Sequence, residues 1–394
     1  MFRSLRALIG ASIAAFGFAC HGAETAPPPS AGVTANAEAI KQAFVEALKP
    51  TRAGRPVVAI VALNEGTEMT DLLLPHAVLK RADVADVQVI APQRGPVQLY
   101  PALQVEAPQD LAGFDLAHPS GADYVIVPAM SSDADPTIIA WIQRQAQAGA
   151  RIIAVCSGAR VAGRAGLLDG RKFAGHWYDR STLLKRHPGA THVPDQRYVF
   201  DRGVVTTTGI TASVPTTLAL VEALGGPAKA RSVADDLGVA SWGPEHDSAR
   251  FGLNLDRAWA YAVNKAAVWR GEHWNIPVRD GMDDIRLVLA ADAWVRTGHV
   301  TVEAASASGP ITLRSGLKLL AGPGTPGAES MPLAPELQPV QQLDRTLCEI
   351  AQRYTPARRD WVMQEMEYAG VGTALPGRGA AAEDNAGDST CPMR

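Results

Sequence analysis

Cysteine is scarce in this chain: Cys20, Cys156, Cys348 and Cys391 are all there are, and no two of them stand in CxxC spacing. A zinc module is therefore excluded, and His187 and His192 beside Pro188 read as a loop rather than a metal site. An excess of one charge is equally absent. With 37 basic against 40 acidic residues and a net charge of −3, the chain carries no electrostatic footprint for nucleic acid, and none is expected as a partner. Long apolar runs are missing too, apart from residues 7–19 behind Arg3 and Arg6, a stretch too short to span a bilayer comfortably.

That one run has the form of a secretory signal, so residues 1–23 are read as a signal segment with cleavage near Ala19 or Ala23. Cys20 opens a second route, in which it becomes the lipidated N-terminus, although Gly17 and Phe18 depart from the usual lipoprotein box. Either route makes the protein exported, periplasmic or held as a membrane-anchored lipoprotein, with membrane contact only through a lipidated Cys20. Beyond Cys20 three cysteines remain, an odd number in an oxidising compartment. Cys156 is assigned as the thiol left over.

What is present is an α/β pattern. Residues 24–35 are rich in Pro, Ala and Gly and read as a flexible linker, after which Asn36 caps a helix over 37–48. Apolar strands are expected at 57–63, 87–91, 122–128 and 151–155, helices at 71–81 and 137–148, a hairpin at 97–105, a second at 198–205 and a helix at 214–224. Strands alternating with helices at these spacings predict a doubly wound, mostly parallel sheet, a flavodoxin-like three-layer sandwich over residues 36–240. A C-terminal α/β extension follows at 241–369, and residues 370–394 are low in hydrophobicity and read as a disordered tail.

The chain is organised around residues 151–168. A short apolar strand ends directly at Cys156, and Ser157, Gly158 and Ala159 turn the chain into a helix with Val161, Ala162, Ala165 and Leu168. This is the pattern of a nucleophile elbow, which lifts a side chain out at the carboxyl edge of a sheet. A buried structural cysteine is the competing reading. Under the elbow reading the helix N-terminus stabilises a thiolate, and the Cys156 thiol is expected below the free-cysteine value of about 8.5.

Glu68 to Asp71 with Pro75, Ala154 to Gly158, Ala165 to Gly170, His176-Trp177, Gly203 to Thr207 and Gly209 to Ala212 together resemble the ThiJ/PfpI superfamily, of class I glutamine amidotransferase-like fold. The resemblance is greatest to the branch fused to AraC-type regulators and to isocyanide hydratases, and runs over about residues 57–240. It implies that Cys156 is a nucleophile or redox centre and that Asp71 is the carboxyl group beside it, donating a hydrogen bond to the thiolate. His176, twenty residues after Cys156, matches a histidine that many relatives keep near the cysteine; a hydrogen-bonded structural imidazole is the alternative. Relatives carry a Pro-Gly-Gly segment whose backbone helps form an oxyanion hole. Here Pro128 is followed by Ala129 and Met130, so the oxyanion donors are expected from the backbone near Met130 and Ser157. No cofactor is implied. Relatives often dimerise, so a homodimer is among the expected partners, although no surface marks an interface.

The AraC-type branch continues into helix-turn-helix units, and this chain does not. After a mixed segment with Trp259, Trp269 and Trp274, Met282 to Asp284 with Leu287, Val300 to Ala304, Gly309-Pro310 and Leu317 echo Met69 to Asp71 with Leu74, Val87 to Ala91, Gly95-Pro96 and Leu103. Read as a repeat rather than chance, the echo predicts a partial second unit whose helix buries Ile285, Val288 and Leu289. It lacks a cysteine, so Asp284 is expected to be an ordinary solvated acid. Helices are expected at 340–354, with Cys348 packing on the apolar face, and from Thr355-Pro356 to about Tyr368. Two functions follow: a cysteine-dependent hydrolase or hydratase acting on a small electrophilic substrate, or a non-catalytic domain that senses a small-molecule ligand.

Overall fold

The computed structural model describes residues 31–252 and 271–370. The readings for residues 1–23, Cys20, Trp259, Trp269 and Cys391, and for the tail beyond Gly370, lie outside the described residues. Helix α1 (Ala31–Ala47) begins ahead of the expected Asn36 cap, taking up the end of the stretch read as a linker. Its Phe44 is buried, as is Leu48 just beyond, whose carbonyl accepts from the Tyr124 hydroxyl at 2.5 Å.

Strand β1 (Val57–Val61) shows why an unbroken apolar run was required. Val58 and Ile60 face one core while Ala59 and Val61 face the other, so no side of the strand meets water. The two-residue β2 (Thr67–Glu68) leads into α2 (Met69–Ala82), β3 (Asp86–Ala91), the hairpin β4 (Gly95–Tyr100) and β5 (Gln104–Ala107), then β6 (Gln109–Asp110) and α3 (Leu111–Ala117). Next come β7 (Tyr124–Val127), α4 (Pro136–Gln147), β8 (Arg151–Ala154) and α5 (Gly158–Arg164). Asp135 starts α4 by accepting the Ile138 N–H, with Pro136 in the first turn where a missing donor costs nothing. The unit closes with β9 (Lys172–Phe173), α6 (Arg180–Arg186), β10 (Thr191–His192), β11 (Tyr198–Asp201), β12 (Val204–Thr207), α7 (Ser213–Gly225) and α8 (Pro227–Leu237).

The main sheet has the order β11-β12-β8-β7-β1-β3-β6 and is parallel except for β11, which pairs antiparallel with β12. Leu72, Leu73, Leu218 and Val221 cover one face with Ile60 and Ile153; Phe114, Ile138, Trp141 and Ile142 cover the other with Val125 and Ile152. Each such side chain taken out of water contributes about 1.5–3 kcal/mol. The expected doubly wound three-layer fold is what forms, and it places the end of β8 and the start of α2 at the same carboxyl edge.

After residue 270 the chain runs through β13 (Glu272–Pro277), α9 (Asp284–Arg296), β14 (Val300–Ala305), β15 (Ile311–Thr312), β16 (Lys318–Leu319), β17 (Glu329–Ser330), α10 (Gln341–Arg353) and α11 (Pro356–Met366). Strand β13 pairs parallel with β14, as β1 does with β3. Ile285, Val288 and Leu289 are buried on α9, which packs against α2. Asp284 is not a solvated acid: it is fully buried, with its carboxylate accepting from both the N–H and the hydroxyl of Ser315. Cys348, buried on α10, is disulfide-bonded rather than merely packed.

Candidate functional site

Cys156 stands one residue past Val155, at the end of β8, with φ of 52°, a left-handed conformation that a side chain bearing Cβ adopts only at a cost of about 1–3 kcal/mol. Its N–H donates to Thr207 Oγ1 at 3.0 Å, which ties the elbow to the end of β12. Gly158 is needed two residues on, because a Cβ there would sit 2.0 Å from the Val127 carbonyl oxygen. The elbow therefore has the strand–turn–helix form its sequence predicts. The thiol is 5% exposed, and Cys156 is the free cysteine among the described residues.

Asp71, in the first turn of α2, is fully buried. One carboxylate oxygen accepts the Ala129 N–H at 3.1 Å, and the other finds no hydrogen-bond partner among the described residues. Burial, then the neighbouring Glu68 carboxylate, pushes Asp71 well above the ordinary carboxylate range. No hydrogen bond joins Asp71 to Cys156, yet the Asp71 charge is the largest that acts on the thiol, after burial.

Glu68 opens the motif that ends at Asp71, and the motif alone does not mark its role. It caps α2, accepting from the Asp71 N–H and the Thr70 hydroxyl, both at 2.7 Å, and its other oxygen accepts from Arg296 at 2.8 Å. Arg296, at the end of α9, also binds Asp292 at 2.7 Å and lies 3.6 Å from Glu365 on α11. Burial and then the Asp292 carboxylate push Glu68 up to about 7, with Arg296 opposing. Tyr100, at the end of β4, is pushed far up by burial and then by Glu68, Asp71 and Cys156, which marks it as a further neighbour of both acids and the thiol.

The thiol is not acidic. Burial first, then the charges of Asp71, Glu68, Asp179 and Glu367, push Cys156 well above the free value. Two reasons overturn the expectation of a depressed value. Helix α5 has only 7 residues, ending at Arg164 short of Leu168, so its dipole is weak, and the elbow is ringed by acids.

The remaining site candidates lie around this centre. The Ser157 hydroxyl is 4.0 Å from the Cys156 sulfur and donates to the buried Asp179 carboxylate. Met130 stands opposite Thr67 in a bridge that uses the Ser131 N–H and the Ala129 carbonyl. Neither Ala129 nor Met130 has positive φ, so the glycine-type backbone of the relatives' segment is not reproduced. His176 is turned to the C-terminal helix: its Nε2 lies 3.2 Å from the Glu365 carbonyl oxygen, and its ring is next to Trp177.

Glu367, just past α11, closes this side. Its carboxylate accepts from the N–H groups of Trp177 at 2.7 Å and Gly209 at 2.5 Å, while its carbonyl accepts from Thr211 at 2.8 Å. Gly209 has no room for a side chain, since a Cβ would come within 2.8 Å of the Glu367 Cβ. Two surface concavities lie away from this site, one beside Asp283, Arg286 and Arg314 and one at the amino end of β8 near Arg202. Arg296 and Glu367 could not be found from local sequence, because each acts on residues remote in the chain.

A doubly wound sheet with a strained cysteine at the end of a central strand and a buried acid from the first crossover helix defines an elbow-cysteine α/β protein. A DJ-1/PfpI family profile matches residues 57–223. An uncharacterized protein from the cpoL 5′ region of Streptomyces lividans is 30% identical over 140 residues, 34% of this chain and 96% of that protein. The chain belongs to the DJ-1/PfpI family. It is also similar to the HTH-type transcriptional regulator CdhR of Pseudomonas aeruginosa, 27% identical over 115 residues, which are 29% of this chain and 34% of the regulator. Among solved structures, a THiJ/PfpI family protein from Pseudomonas syringae is 24% identical with a TM-score of 0.41, covering 47% of this chain and 76% of that one. An AraC family transcriptional regulator from Pseudomonas putida is 21% identical with a TM-score of 0.41, covering 46% of this chain and 98% of that one. No DNA-binding domain is evident in the aligned part.

Proposed function

We propose that the protein is an exported cysteine-dependent hydrolase or hydratase acting on a small electrophile. The observation that carries this is the Asp71 oxygen buried without a partner next to a strained cysteine. A buried polar atom left unpaired costs about 1–3 kcal/mol, and a strained cysteine adds to that cost, so the pair has a use beyond stability. Burial raises Asp71 well above the ordinary carboxylate range, which favours its protonated form and suits it to donate a proton. The Cys156 sulfur adds to the electrophilic carbon, Asp71 passes its proton to the substrate heteroatom, and the thiol proton replaces it on Asp71. Water then displaces the sulfur, and its proton balance returns the thiol. Backbone N–H groups of Met130 and Ser157 would hold the developing negative charge, and His176 positions the wall formed with α11 rather than acting as base.

Export is supported by the signal-like N-terminus and by the disulfide at Cys348, a bond that persists in oxidising compartments. Intact mass of the native protein tests it: a chain still starting at Met1 contradicts export, and a mature chain without an acyl group removes Cys20 lipidation.

Closure of the site by Glu367 favours a second reading, a ligand-sensing domain that does no chemistry. Incubation with a panel of small isocyanides and esters separates the two. The enzyme reading expects product from the wild type, none from Cys156→Ala, and a Cys156 adduct visible by mass. Absence of both product and adduct, even in Glu367→Ala, gives the sensing reading first place.

A further inference from the structure

The second region is arranged around the first as a second copy would be across a two-fold axis. Helices α2 and α9 pack with reciprocal ion pairs. Arg81, in the last turn of α2, binds Asp283, the cap of α9, at 2.5 Å; Arg296, the last residue of α9, binds Glu68, the cap of α2, at 2.8 Å. The hairpins meet in the same way. Strand β5 pairs antiparallel with β16, and the partners are Val105 and Leu319. Leu317 is the echo of Leu103, so Leu319, two residues on, is the echo of Val105. A strand that pairs antiparallel with its own equivalent, at equivalent residues, is what a two-fold interface generates, because residue i then meets its own counterpart. The two strands continue into one five-stranded sheet of order β15-β16-β5-β4-β2, which reaches Glu68 itself.

We propose that residues 271–331 serve as an in-chain second protomer for residues 57–107, and that its Arg296 is a positioning residue for the acids beside Cys156. The proposal deepens the reading of the cysteine site but not of its chemistry, since it concerns how the thiol ionises and not whether substrate turns over. Glu68 is faced by Thr70 and Asp71 from its own helix, by Asp292 and Arg296 from α9, by Tyr100 from β4 and by Cys156 from the elbow, with Glu365 of α11 reaching Arg296. Among the described residues Arg296 is the cation that acts on both acids. It holds Glu68 in the charged form above about pH 7, and that charge opposes the thiolate. Among the described residues this cation comes from the second region, so the charge state of the site is set from across the internal two-fold.

Arg81 is the built-in control. It makes the matching ion pair at the other end of the same helix pair, and ten residues of helix, about 15 Å, separate it from Asp71. The experiment measures the rate of Cys156 alkylation by iodoacetamide from pH 5 to 10 in the full chain, with intact mass to confirm the site. Arg296→Gln leaves Glu68 neutral to higher pH, so the alkylation profile is expected to move down by about one pH unit, near tenfold in rate on the rising limb. Arg296→Lys keeps the cation and restores the wild-type profile. Arg81→Gln loses comparable thermal stability and leaves the profile in place. Glu68→Gln removes the same charge without touching the cation and is expected to shift the profile as Arg296→Gln does, which keeps the test open if the arginine variant does not fold. A profile that coincides with wild type in Glu68→Gln, or an equal shift in Arg81→Gln, overturns the proposal. Turnover plays no part in the readout, so loss of the hydrolase reading leaves it standing.

Discussion

Asp71 and Asp284 occupy equivalent places in the two halves, each at the start of a helix that follows a buried parallel strand, and each is fully buried. Their surroundings differ. Both oxygens of Asp284 are taken up by Ser315, and burial raises it only against those hydrogen bonds. Asp71 has one oxygen bonded and one left open beside a thiol. The same scaffold thus carries one acid whose two oxygens are both held by a loop serine and one with an oxygen left open beside a cysteine.

The largest effect expected to sharpen this contrast is one of pH. Glu68 titrates near 7 folded against 4.5 as an ordinary group, and a carboxyl group raised in the folded state binds its proton more tightly there. Its contribution is therefore fully present below about pH 4.5 and is lost as pH rises towards 7, on the order of 3 kcal/mol. Urea unfolding across that window is expected to show this fall in the wild type and a flatter slope in Glu68→Gln. Equal slopes would mean that the first half holds its acids no differently from the second.

Next in size is Asp284→Ala, expected to cost about 2 kcal/mol because Ser315 loses both partners in a buried place. Asp71→Ala is expected to cost less, about 1 kcal/mol, since only the Ala129 N–H loses its partner and the other oxygen removed is already unpaired. Similar losses for the two would break the comparison. Gly209→Ala comes last, also at about 1 kcal/mol, because its Cβ would press on Glu367 at 2.8 Å and loosen it. Alkylation of Cys156 in that variant is expected to run several-fold faster; an unchanged rate would show that Glu367 does not close the site.

Much of this was legible in the sequence. The unbroken apolar runs at β1, β7 and β8 announced a sheet covered on both faces, and the turn at Cys156 followed from small residues directly after a strand. Asp71 came through resemblance; it is fully buried and bonds to the Ala129 N–H rather than to the thiol. The misses share a cause, which is that charge around a site is a property of what packs onto it. Arg296 reaches Glu68 across 228 residues, and Glu367 reaches Gly209 across 158, so no local pattern could place them. The thiol was expected to be acidic from a helix that ends too soon and without the acids that surround it. Asp284 is buried rather than solvated because Ser315, thirty-one residues on, supplies both its partners, a contact that no local pattern marks.

The alkylation profile of Cys156 against pH, in wild type and Asp71→Asn, tests the central claim that thiol and carboxyl are coupled. In a coupled pair the second proton leaves against the charge left by the first. The wild-type thiol is therefore expected to titrate above the free value of about 8.5, and Asp71→Asn, which cannot ionise, to move the profile down by about one pH unit or more. A wild-type thiol that titrates like a free cysteine, with a profile that Asp71→Asn leaves in place or moves up, would contradict the account.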